Sequence, residues 1–81
     1  MAKFLDHCRV KLPPDAVKQV TAGIKAGKAD QFGVKPLNVF MAEDGAYCLT
    51  EAPSADAVVK MHQANGIPLD RRDVSEVTTL V

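Results

Sequence analysis

Proline and glycine interrupt this chain at five places, Leu12-Pro13-Pro14, Gly33, Glu43-Asp44-Gly45, Pro53-Ser54 and Asn65-Gly66, and the runs left between them constrain the fold more than any other feature. Each run is too short to hold more than one strand or helix. Lys3 to Val10 is short and partly apolar and reads as a first strand that the double proline must end. Pro14 suits a first helical turn, where a missing N–H is no loss, and Asp15 meets the positive end of the helix dipole. Val17, Val20 and Ile24, extended by Lys28 and Phe32, keep a 3.6-residue rhythm up to a stop at Gly33. Gly23 and Gly27 each weaken that helix by about 1 kcal/mol relative to alanine.

Val34 to Ala42 reads as a second strand, placed at a sheet edge by Pro36, which has no N–H to give to a neighbour. The Glu43-Asp44-Gly45 turn joins it to a third strand, Ala46 to Glu51, as a hairpin. Ser54 is a good cap for a second helix that carries Asp56 in its first turn and runs to Asn65-Gly66. Ile67-Pro68-Leu69 is a connector, and the β-branched run Val74 to Val81 reads as a fourth strand.

The resulting order is βαββαβ. With right-handed crossovers it makes a ferredoxin-like plait of the α+β class, a four-stranded antiparallel sheet with strands one and three central and two helices on one face. At 81 residues the chain is expected to be a single domain over residues 1–81. The opposite sheet face stays bare unless a second copy or a ligand covers it.

Ten Lys and Arg balance ten Asp and Glu with no basic block, so nucleic acid is not an expected partner. No apolar run approaches the roughly 20 residues that span a bilayer, and the opening MAKFLDHC lacks a signal peptide's apolar stretch. No membrane association is expected, and a cytoplasmic location is. Two cysteines do not make a disulfide framework, and free thiols are expected.

His7, Cys8, Cys48 and His62, joined by Asp6, Tyr47, Glu51 and Glu76, supply the imidazole, thiolate and carboxylate donors that zinc, nickel or copper take. There is no CxxC, HxH or HExxH spacing. Strand alternation sends Leu5 and His7 to one face and Phe4, Asp6 and Cys8 to the other, and likewise separates Tyr47, Leu49 and Glu51 from Cys48 and Thr50. Which set meets the helices is not written in the sequence. His62 continues the Ala55, Val58, Val59 stripe of the second helix, so it faces inward, as a hydrogen-bonded core histidine or as a ligand. Glu51, at the mouth of the third strand, can ligate, cap the second helix or stay solvated.

The run Tyr47-Cys48-Leu49-Thr50-Glu51-Ala52-Pro53-Ser54-Ala55-Asp56-Ala57-Val58, followed by His62, Gly66 and Ser75-Glu76-Val77, resembles a family of short nickel-binding proteins first catalogued as a domain of unknown function. The opening Lys3-Phe4-Leu5-Asp6 is similar too. The resemblance implies a ferredoxin-like plait that pairs as a homodimer through its open sheets. It also implies a metal site to which Asp6, Cys48, Glu51 and His62 correspond. The family's Asp-x-His pattern on strand one reads Asp6-His7-Cys8 here, which puts a soft thiolate donor where the family has imidazole.

The leading expectation is therefore a small homodimeric protein that binds nickel or another divalent transition metal, drawing on Asp6, His7, Cys8, Cys48, Glu51 and His62. A second reading is a small dimeric α+β-barrel enzyme acting on a small organic molecule in a pocket lined by Tyr47, His62 and Asp6. A third is a structural or regulatory module without a ligand.

Overall fold

The two prolines after the first strand and the capped second helix act as the sequence suggests. Pro13 and Pro14 open α1 (Pro14–Ala26), with Asp15 in its first turn. Ser54 Oγ accepts a hydrogen bond from the Ala57 amide at 3.1 Å and starts α2 (Ala55–Ala64). The strands are β1 (Ala2–Cys8), β2 (Lys35–Ala42), β3 (Gly45–Ala52) and β4 (Val74–Val77). They form one antiparallel sheet in the order β2-β3-β1-β4, the ferredoxin-like α+β arrangement, in this computed structural model. The structure describes residues 2–78 and Leu80.

Three boundaries differ from the sequence expectation. α1 ends at Ala26 and does not reach Gly33, because Gly27 takes the left-handed conformation at φ 66° and its N–H donates to the Gly23 carbonyl at 3.2 Å. The apolar rhythm continues past that cap into a loop. There the Asp30 carboxylate accepts from the Phe32 and Val34 amides at 2.8 and 3.1 Å. β1 stops at Cys8, two residues before Val10. β4 stops at Val77 and is preceded by a short 3-10 turn, Arg71–Asp73, capped by Asp70. Of the further residues assigned to that strand, Thr79 and Val81 lie outside the described residues.

Pro36 does sit on an edge strand, beside a one-residue irregularity between Pro36 and Asn38. Phe4, Asp6 and Cys8 of β1, with Ala46, Cys48, Thr50 and Ala52 of β3, face the helices and are buried. Leu12, Val34, Ala55, Ala57, Val58, Leu69 and Val74 join them in the core. Lys3, Leu5 and His7, with Tyr47, Leu49 and Glu51, take the open face, where His7, Tyr47 and Phe40 stand in one row across three strands. No helix among the described residues is long and apolar enough to cross a membrane.

Candidate metal centre

The register of the two central strands builds the site. Asp6 pairs directly with Cys48, so a carboxylate and a thiol lie side by side on the face under the helices. α2 lowers His62 onto them, since the position four residues after Val58 lies on the helix's buried stripe. One donor atom from each of Asp6, Cys48 and His62 lies within 4.8 Å of the other two. All three side chains are buried.

The Val58 carbonyl fixes the imidazole. It can only accept, so at 2.8 Å from His62 Nδ1 it requires the proton on that nitrogen. Nε2 is left to face Asp6 Oδ1 at 3.3 Å. A neutral His62 would present a lone pair there, and a charged one donates a proton to the carboxylate. Burial by itself would push the imidazole pKa down, but hydrogen bonds to Asp6 and Cys8 and the Asp6 charge outweigh it, and the pKa rises to about 10. Without a metal, His62 is therefore an imidazolium that neutralises a buried aspartate.

Cys8 adjoins the cluster, its Sγ 3.7 Å from Asp6 Oδ1. A hydrogen bond from Cys48 stabilises its thiolate against the opposing effect of burial, His62 helps, and its pKa falls to about 6. The Cys48 thiol, which supplies that hydrogen bond and is itself buried, is pushed up and keeps its proton. Both cysteines are free thiols, as the sequence suggests.

Two buried atoms are left over. Asp6 Oδ2 and Thr50 Oγ1 have no hydrogen-bond partner among the described residues. A buried carboxylate oxygen without a donor costs free energy unless a cation or a proton satisfies it. Together with the neighbouring Cys48 thiol and His62 imidazole, this is a donor set that suits a divalent transition metal.

The other candidates lie elsewhere. His7 is on the open face, stacked on Tyr47 with ring centroids 4.3 Å apart, and its Nε2 is 3.1 Å from the Asp44 carbonyl. The Tyr47 hydroxyl donates to the Asp44 carboxylate at 3.1 Å; with its ring on His7, Tyr47 stands on the open face, across the sheet from His62 and Asp6. Glu51 is also on the open face, between Lys3 and Lys35 in register. Arg9 turns away from the cluster and holds the Asp73 carboxylate through two hydrogen bonds of 3.1 and 2.9 Å, which pulls the Asp73 pKa down. Thr50 is the buried polar group that the sequence reading did not single out, although it shares strand parity with Cys48.

Residues 7–77 match the family model described as nickel responsive protein SCO4226-like. The match starts one residue after Asp6 and takes in Cys8, Cys48 and His62. Neither a curated protein nor a solved structure matches the chain.

Proposed function

The chain belongs to the SCO4226-like family of nickel responsive proteins, and from that premise we propose that it is a homodimeric binding protein for nickel or another divalent transition metal. The observation that carries the reading is the buried meeting of Asp6, Cys48 and His62, with Asp6 Oδ2 lacking a partner among the described residues. Asp6, Cys48 and His62 would hold the ion, with Cys8 next to them as a further thiolate. The ion would supply the positive charge that His62 supplies in its absence. The Val58 carbonyl, by holding the proton on Nδ1, keeps Nε2 available.

Equilibrium dialysis of chelator-treated protein against nickel tests this. Wild type is expected to retain about one ion per chain, and His62→Ala to weaken binding by more than roughly a hundredfold, beyond the usual cost of losing an outer-shell partner. Cys8→Ala reports whether the second thiolate also ligates. No stoichiometric uptake of nickel, zinc or cobalt by the wild type would end the proposal.

The homodimer is supported by the open sheet face, where Leu5 is 36% and Phe40 49% exposed on the face that also holds Tyr47 and Leu49. A second copy would cover these apolar side chains. Sedimentation velocity is expected to give a dimer for the wild type and a monomer for Phe40→Glu, which would bury a carboxylate in the covered apolar face. A wild-type monomer at tens of micromolar would count against pairing.

A further inference from the structure

One opening in the molecule lies against the same buried cluster, on the helix side of the sheet. α1 meets the sheet with small residues, Ala16 and Gly23, and buries no side chain fully. Gly23 sits close to β2, and a Cβ there would lie 3.4 Å from Pro36 Cγ. A cavity of about 200 Å³ remains between α1, α2 and the sheet. Val20, Val34, Met61 and Ile67 are among its apolar walls, and Thr50 is in its floor with Cys8, Cys48 and His62. Polar groups such as Lys28 and Asn65 also line it.

An apolar cavity of roughly 150 Å³ is enough to hold benzene. This one is somewhat larger, and it has one feature that a purely apolar hole lacks. Thr50 Oγ1 is buried and has no hydrogen-bond partner among the described residues. A hydroxyl can both donate and accept, so it suits a ligand hydroxyl in either sense. The floor also carries the Asp6 carboxylate behind Cys8 and Cys48. A charged head group would lose its hydration against these mostly apolar walls, which disfavours an anion.

We propose that the space between α1 and the sheet is a binding site for a small neutral molecule of about six to eight carbon atoms, mostly apolar and carrying one hydroxyl, with the hydroxyl bonded to Thr50 and the apolar body against Val20, Val34 and Met61. The site does not depend on a bound ion. It concerns a neutral organic ligand, and it can be tested on the metal-free protein.

Phenol, toluene and benzoate are matched probes. Phenol and toluene differ by a hydroxyl in place of a methyl, and benzoate adds a charge. In a cavity without a polar partner, toluene wins because it is the more readily transferred from water. Titrations of chelator-treated, ¹⁵N-labelled protein, followed by amide shifts, are expected to show saturable phenol binding at least as tight as toluene binding. The shifts should concentrate at Val20, Val34, Thr50 and Met61, and benzoate should produce none. Thr50→Val keeps the shape and removes the hydroxyl. It is expected to weaken phenol by roughly tenfold relative to toluene, the size of one hydrogen bond. Ala16→Phe fills the space and is expected to weaken both. If that variant does not fold, Val20→Phe serves the same purpose. The proposal is overturned if neither neutral probe saturates at millimolar concentration, if wild type prefers toluene as strongly as Thr50→Val does, or if benzoate competes equally.

Discussion

Gly45→Ala is expected to lose about 3–5 kcal/mol of folding stability, a large share of the roughly 4–12 kcal/mol typical of a domain this size. Gly45 opens β3 at φ 129°, a region that side-chain-bearing residues rarely adopt. Conformation is the smaller part of the problem. A Cβ built on Gly45 would lie 2.0 Å from the Cys8 carbonyl oxygen, 3.0 Å from the Cys8 carbonyl carbon and 3.1 Å from that of Arg9. All three atoms are backbone, so no side-chain rotation relieves the overlap. β1 would have to separate from β3 at the Cys8–Ala46 pair, next to the buried thiols. Gly66→Ala is the matched control, because Gly66 also has positive φ, 74°, but nothing lies within 4 Å of its Cβ position. That substitution is expected to cost about 1 kcal/mol from conformation alone. Urea denaturation of the two variants beside wild type checks the difference, and equal losses would contradict the steric argument.

The same glycine illustrates what could be read from residues alone. Glu43-Asp44-Gly45 announces a hairpin, and Pro36 announces an edge strand, because turn and ladder chemistry are local. Ser54 likewise marks a helix start by its own side chain. The end of α1 was less legible, since Lys28 and Phe32 extend the apolar rhythm beyond a glycine that ends the helix by its conformation. For the site, strand parity groups Asp6 with Cys8 and Cys48 with Thr50, and helical periodicity turns His62 inward. His7 and Glu51 fall on the other parity, and the structure places both on the open face. What parity does not give is the neighbour across the sheet. That Cys48 lies opposite Asp6 depends on the β1–β3 register, which the long-range core sets. The cavity is also invisible to pattern, because its walls come from α1, α2, the sheet and loops that are far apart in the chain.

Metal affinity is expected to rise steeply with pH, by up to about a hundredfold per unit between roughly pH 6.5 and 9, since about two protons must leave for each ion bound. In the metal-free protein at neutral pH, His62 carries a proton on Nε2, its pKa held near 10 mainly by Asp6 and Cys8 against burial. Cys48 also keeps its proton, raised by its bond to Cys8 and by burial, while Cys8 is already a thiolate. An ion held by Cys48 and His62 displaces both protons.

Stability of the metal-free protein does not rise with pH in this way. The raised His62 contributes stability fully below its unfolded value of 6.5 and loses it as pH rises to about 10. The depressed Cys8 contributes above its unfolded value of 9.0 and loses its contribution as pH falls to about 6. Between roughly pH 6.5 and 9 these slopes cancel and stability stays nearly level. Above pH 9 only losses remain, because Cys48, raised from 9.0, now falls in the same sense as His62. The decline there is expected to be roughly 2–3 kcal/mol per pH unit until His62 titrates. Nickel should therefore protect the fold most at alkaline pH, where the free protein is weakest and the donors are easiest to deprotonate. Thermal melts from pH 6 to 10 with and without nickel, and the protons released per ion in weakly buffered solution, measure both trends. Nickel binding that releases no protons would mean that neither Cys48 nor His62 is a ligand.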